Sequence, residues 1–402
     1  MNVVPIRSLP VGGHGLPAPD RRIAGVTIFS DMTAAEPHWR TLEQADTLAT
    51  PYQRYDFLRL WHRHVGADFG VTPFIVVGFN AAHEPLFLWP FGSCRIGGLV
   101  GVEFLGGKHA NFNMALWRRH VAASIGVNEL RSTLSHLAGR ADFIRLANQP
   151  LTWNGATNPF ALLPHQRAAN FGFSGPLVPD FDTLLRARTN AETRKKMRKK
   201  ERKLASFGEL RFERAIAPAD VRRVLDSFFK QKNARMRALG VPDIFAEPGA
   251  RRFIEAAATE QIPHGNSLIE LYALSVDDII VATMGGIVGG GRFCAMFNSI
   301  VQSQFAMESP GEQLILKLAR HCCERGLDTF DLGIGEARYK NLLCGDAEPL
   351  VDSYLPLSHA GRLMALGFAI GAAAKRAIKQ SPALWSLVRT ARRTRARFSS
   401  SP

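Results

Sequence analysis

The sequence lacks the features that would mark a disulfide framework or a zinc site. Its five cysteines, Cys94, Cys294, Cys322, Cys323 and Cys344, are an odd set with no Cys-x-x-Cys and no paired histidines. No metal is expected, and a reducing cytoplasm fits such usage. The N-terminus has no basic start followed by an apolar block, so no secretory leader is expected, and "RSLPVGGHGLPAPDRR" reads as a flexible Pro/Gly-rich tail over residues 1–24. The longest uncharged apolar stretch near the C-terminus, residues 363–374, falls well short of the ~20 residues a spanning helix needs. No short repeat period is present, which excludes a solenoid.

Acidic residues are also unevenly scarce. The chain of 402 residues carries a formal net charge of +15. Two segments account for it: residues 194–203, with eight Lys/Arg against one Glu, and residues 361–402, with nine Lys/Arg and no acid. The rest of the chain is close to neutral. The sequence therefore has two local basic features to explain and is no general polycation. With 46% hydrophobic and 21% charged residues, it can bury ordinary cores, and its length suggests two domains.

Each half shows the same order of elements. In residues 25–178, "VTIFSD" reads as a strand, "PYQRYDFLRLWHRHVG" as a helix, "PFIVVGFN" and "EPLFLWPFGSCRIGGLVGVEFLGG" as strands, "VNELRSTLSHLAGR" as a helix and "ADFIRLANQP" as a strand. In residues 179–357 a helix over "NAETRKKMRKKERKLASFG" has Asn190 as N-cap and Met197 and Leu204 on one face. A strand, two helices and three apolar strands follow, ending with "RFCAMFNSIV". The order suggests a duplicated α/β fold with two mixed sheets flanked by helices, followed by a basic tail over 358–402.

The densest chemistry lies in "MESPGEQLILKLARHCCERGLDTFDLGIGEARYK", residues 307–340. Ser309, Pro310 and Glu312 have the form of a capping box with proline at the first helical position, and Gly311 would let a ligand approach the free amides there. The same signal occurs at helices that bind nothing. In the strand that follows, Phe330, Leu332 and Ile334 alternate with Asp331 and Gly333, which puts Asp331 opposite the apolar face. The next loop supplies Glu336, Arg338, Tyr339 and Lys340: a tyrosine hydroxyl able to protonate a thiolate and a lysine able to meet a phosphate or oxyanion, or else a packed ring and a solvated charge.

The basic helix, the "SPGEQLI" helix start after three strands and "FDLGIGEARYK", in this order, resemble the BioF2-like acetyltransferase domain of the CelD/BcsL group of bacterial proteins, linked to cellulose and exopolysaccharide synthesis, a branch of the GNAT superfamily. The likeness is clearest over about residues 185–355. It implies a tandem GNAT-like fold and acetyl-CoA as co-substrate, with the pyrophosphate at the turn Glu308 to Glu312 and the neighbouring Gln313. It also implies direct attack of an amine or hydroxyl on the thioester, with Asp331 or Glu308 as base, Tyr339 as acid and Lys340 beside them. The superfamily's commoner Gly-rich loop is here reduced to the single Gly311.

The expected acceptor is a small molecule or glycan, met by Arg194, Arg198 and Arg338, with His109, Asn111 and Asn113 of "GGKHANFNM" contributed by the first half. For each of these Asn residues, turn-capping competes with that role. The 194–203 cluster also reads as a solvated helix or a phosphate-binding surface. Nucleic acid is disfavoured because no aromatics are interleaved to stack bases. The tail over 361–402 suits a peripheral contact with an anionic membrane, or equally a helix packed on the second half with a frayed end.

Overall fold

Strand pairing, rather than sequence order, defines the two units of the computed structural model, which describes residues 4–5, 23–260, 267–335, 339–345, 347–381, 383, 384 and 386. The first unit comprises the described residues of 1–169 and 349–374, the second those of 170–348 and 375–402. Each is therefore completed by chain from the other half of the sequence. The expected domain ends at 178 and 357 follow chain order and do not anticipate this exchange.

In the second unit the sheet runs, by neighbour, through Gln166–Pro176, Thr329–Ile334, Arg292–Ile300, Ile279–Gly289, Glu270–Val276 and Leu210–Ala215. Each pair is antiparallel except Arg292–Ile300 with Thr329–Ile334. The helix Pro310–Glu324 connects these two strands. It buries Leu314, Ile315, Leu318, Ala319, Cys322 and Cys323 on one side, as the spacing of Ile315, Leu318 and Cys322 predicts, and Gly326 at φ +70° turns the chain out of it. The basic helix Ala191–Ala205 starts where expected, with Asn190 Oδ1 accepting from the Thr193 amide at 2.8 Å, and it turns Met197 and Leu204 inward.

The first unit has the same plan. Its sheet includes, by neighbour, Gly25–Phe29, Thr72–Phe79, Pro85–Ile96, Leu99–Phe104, Phe143–Pro150 and Glu348–Pro356. Leu99–Phe104 and Phe143–Pro150 form its parallel pair, registered over residues 101–103 with 143–145. A helix that the sequence reading does not contain, Met32–Gln44, is capped by Asp31 and carries Pro37 inside it.

The C-terminal helix His359–Gln380 begins on the first unit, not on the second as the packed alternative had it. Asp142 organises the junction: its carbonyl accepts from the amides of Leu357 (2.8 Å) and Ser358 (3.0 Å), and its carboxylate from the Val100 amide and the Ser358 hydroxyl, both at 2.8 Å. Phe368 then packs between a tilted Phe143 ring and a stacked Tyr354 ring, under the Arg145 guanidinium. A Cβ on Gly361 would lie 1.8 Å from the Asp142 carbonyl oxygen, a backbone atom that cannot give way cheaply. Gly361→Ala is therefore expected to cost about 1–3 kcal/mol through overpacking, read as a lowered urea midpoint. Unchanged stability would show that the helix start is not seated on Asp142.

Candidate active site

The two parallel strands of the second unit meet over three residues and then part. Arg292, Phe293 and Cys294 register with Thr329, Phe330 and Asp331, after which Arg292–Ile300 continues alongside Ile279–Gly289 only. A bulge interrupts that remaining ladder: Ala295 pairs with Gly286 and Phe297 with Gly285, leaving Met296 as the extra residue. Bulges bend a strand and re-aim its backbone groups, here at the point where the neighbour departs.

A buried ion pair closes the vertex of this split. Asp331 has no exposed surface, its Oδ2 accepts from Arg292 Nε (2.9 Å) and Nη2 (2.7 Å), and its Oδ1 accepts from the Gly333 amide at 2.6 Å. Burial pushes the Asp331 carboxyl up, while the guanidinium and the amide pull the other way. The expectation of Asp331 as a base on the open face is corrected: strand alternation places it opposite the apolar row, but that side is occupied by Arg292, and both oxygens are committed.

Lys340 is corrected for a similar reason. It is buried, donating from Nζ to the carbonyls of Gly333 (3.1 Å) and Ile334 (2.9 Å) above the Phe173 ring, and so terminates the strand instead of facing a phosphate. Burial brings its ammonium down to about 8.

Tyr339 remains available. Its hydroxyl oxygen accepts from Asn298 Nδ2 at 2.9 Å, beyond the bulge, and the Asn298 carbonyl lies 3.4 Å from Lys232 Nζ. Burial pushes the hydroxyl up, so it holds its proton at neutral pH, and with Asn298 occupying a lone pair that proton is presented elsewhere. Asn298 went unnoticed in the sequence because the bulge breaks the alternation that would have turned it into a visible exception, and Lys232 lies 66 residues away on the helix Pro218–Leu239.

The helix start differs from the capping box expected. Ser309 is left-handed (φ +52°) and makes no side-chain cap; its hydroxyl accepts from Lys200 Nζ at 2.7 Å, and Lys200 also lies 3.5 Å from Glu312. A Cβ on Gly311 would lie 2.9 Å from Ile300 Cγ2, so glycine lets the helix begin against the end of the bulged strand. Gln313 is buried and donates to the Met197 carbonyl at 3.1 Å, which withdraws it from a ligand role. The amides of Glu312 and Gln313 both turn to the Ser309 carbonyl, Pro310 has none, and the Gly311 amide is left at the helix start beside the Lys200 ammonium. Glu308, half-buried, directly precedes this turn.

The basic helix sorts its charges by face. Lys200 and Glu201 turn to the helix Pro310–Glu324, Glu201 meeting Lys317 at 2.6 Å, and Arg194 bonds the Thr189 carbonyl. Lys195, Arg198, Lys199 and Arg202 are exposed at i, i+3, i+4 and i+7, and the exposed Lys196, paired with Glu192, and Lys203, over the Phe207 ring, widen this cationic stripe. In the first unit, His109 is buried and accepts from Trp61 Nε1 (3.2 Å), Asn111 Nδ2 donates to the Tyr52 hydroxyl (3.1 Å), and Asn113 Nδ2 donates to the Ala147 carbonyl (3.0 Å). These bonds fasten the loop to the elements around it. Arg338 lies outside the described residues.

Two expectations follow. Asp331→Ala strands the Arg292 charge in a dry site and should cost about 3–5 kcal/mol, whereas pairing it with Arg292→Met should recover most of that loss; equal damage from the double variant in urea titration would refute the ion pair as the element being broken. Lys340 binds a proton more weakly folded than unfolded, so between about pH 8 and the 10.5 of an ordinary lysine the unfolded chain holds the extra proton and stability rises with pH, by about 3 kcal/mol in all. Lys340→Met should remove that rise, and an unchanged pH profile in the variant would assign it to other groups.

Comparison with known proteins gives a consistent picture. The model of the acetyltransferase (GNAT) domain family matches residues 191–341. Solved structures of similar fold include FemX, with 11% identity, a TM-score of 0.55 and coverage of 82% of this chain and 98% of that one. They also include a conserved protein of unknown function from Bacteroides thetaiotaomicron, with 10% identity, a TM-score of 0.51 and coverage of 82% and 99%. No curated protein matches the sequence. The split strands and the helix between them thus lie within the segment that matches the GNAT acetyltransferase domain, which supports an acyltransferase, and the chain has a tandem GNAT-like fold.

Proposed function

We propose that the chain is an acetyl-CoA-dependent acetyltransferase of the BioF2-like branch, transferring the acetyl group to an amine or hydroxyl of a sugar, glycolipid or exopolysaccharide precursor. The observation that carries this reading is the order of features along one strand. From the vertex at Arg292, the bulge at Met296 comes next, then Asn298 holding the Tyr339 hydroxyl, then Ile300 against the helix start at Gly311. Bulge and helix start are about 13 Å apart along the strand, at about 3.3 Å per residue, which suits an extended thioester arm with a phosphate at its far end.

Acetyl-CoA supplies the activated acyl group. On this reading the Gly311 amide and the Lys200 ammonium hold the pyrophosphate, with Lys200 also offsetting the Glu312 carboxylate. Tyr339 gives its proton to the departing thiolate. Glu308 directly precedes the phosphate-binding turn, so it lies at the far end of the arm from the thioester, and the proton of the attacking amine or hydroxyl passes to water.

The cationic stripe favours one second reading, a Fem-like aminoacyl transferase whose donor is an aminoacyl-tRNA. Calorimetric titration with acetyl-CoA separates the two. Micromolar binding by the wild type, weakened about tenfold in Lys200→Ala, is expected. Tyr339→Phe should bind normally yet turn over on the order of 100-fold more slowly against amino-sugar acceptors. No binding of acetyl-CoA, together with co-purified RNA released by nuclease and salt, would transfer the assignment to the second reading. A side chain at Gly311 is an ambiguous probe, because its Cβ would lie 2.9 Å from Ile300 Cγ2 and so change packing together with any effect on the donor.

A further inference from the structure

The C-terminal helix His359–Gln380 is apolar on both sides. Its inner side is accounted for: Gly361 and Ala365 are buried and Phe368 packs against Phe143. Its outer side carries Leu363, 75% exposed, Leu366, 57% exposed, and Ile370, 61% exposed, at i, i+3 and i+7. The exposed Ala374 and Ala377 continue the same line. A helix resting on a domain normally turns polar residues to water on that side, and a contiguous row of large aliphatics there marks a surface that something covers.

The charges around the row define what covers it. Arg362 flanks it at one end and Lys375 and Arg376 at the other, and from His359 to Pro402 the sequence has nine Lys/Arg and no acid. We propose that this face lies on an anionic lipid surface, with Leu363, Leu366 and Ile370 in the headgroup–acyl boundary and the flanking cations among the headgroups. An amphipathic helix with an apolar row and basic margins binds an interface by these two terms together. A second copy of the chain fits worse, because a self-complementary contact would bring two acid-free, basic helices together with no carboxylate between them. Among the described residues no helix is long and apolar enough to cross a membrane, so the contact is with the surface.

The test uses the full chain and does not depend on which acyl donor it takes. The wild type is expected to co-float with vesicles of equimolar phosphatidylglycerol and phosphatidylcholine, weakly with phosphatidylcholine alone, and the triple variant Leu363→Gln, Leu366→Gln, Ile370→Gln to lose at least about tenfold of that binding. These side chains are exposed, so the variant should fold, and an unchanged urea midpoint checks this. Equal flotation of wild type and variant would overturn the proposal, as would flotation lost only on replacing Arg389, Arg392 and Arg393, since the basic end alone would then be the anchor. A wild-type dimer that the triple variant turns into a monomer, with no flotation by either, would overturn it in favour of a contact between copies.

Discussion

The second unit depends on one awkward contact, the burial of Arg292 against Asp331. Two parallel strands with slanted ladders have no intrinsic reason to stop pairing after three residues. The ion pair fixes where they are held, at Arg292, Phe293 and Cys294, and the bulge at Met296 and the departure of Thr329–Ile334 fix where they are not. Buried ion pairs add little net stability over apolar replacements, but an unpaired member is severely penalised, so they specify register more than they strengthen it. Any slip that opened the vertex or closed the split would expose one of those charges to a dry partnerless site. The gap that an acyl donor needs is therefore maintained by a penalty on the alternatives.

Much of this scaffold was legible in the sequence. The apolar strands over 279–289 and 292–300, the helix from Pro310 with its buried face and the N-cap at Asn190 were read from periodicity and cap chemistry. Gln166–Pro176 and Glu348–Pro356 were not, because neither shows a clean alternation; the first reads "QRAANFGFSGP", with two glycines and mixed polarity. Their roles are set by non-local pairing, and a strand chosen by its neighbours need not announce itself. The helix Met32–Gln44 was missed for a local reason: Pro37 reads as a breaker, and the Asp31 cap and buried Trp39 and Leu42 outweigh it.

The site was legible in its residue types but not in their commitments. Alternation placed Asp331 away from the apolar row correctly, yet it carries no information on what faces it, and Arg292 lies 39 residues earlier. Lys340 and Gln313 look like ligand-binding groups in a string of letters. In space they bond to carbonyls: Lys340 to those of Gly333 and Ile334, where a strand end leaves buried oxygens that must find donors, and Gln313 to that of Met197 inside the basic helix. Tyr339 keeps its candidacy because its partner, Asn298, engages the hydroxyl oxygen and leaves the proton unspent.

The two basic segments resolve into different physics once their faces are known. In the helix Ala191–Ala205 the inward turn carries Met197 and Leu204 with one cation and one anion, Lys200 and Glu201, each answered by the helix it packs on, so most of the surplus charge faces water. A charged stripe of that kind is at ease in solvent and needs no partner to be stable. In the helix His359–Gln380 the surplus is apolar: the inner face alone seats it on Asp142 and Phe143, and the outer row of Leu363, Leu366 and Ile370 contributes nothing to that seat. Side chains that cost solubility and return no packing are retained only against a second surface, and the acid-free cations beside them give that surface its sign.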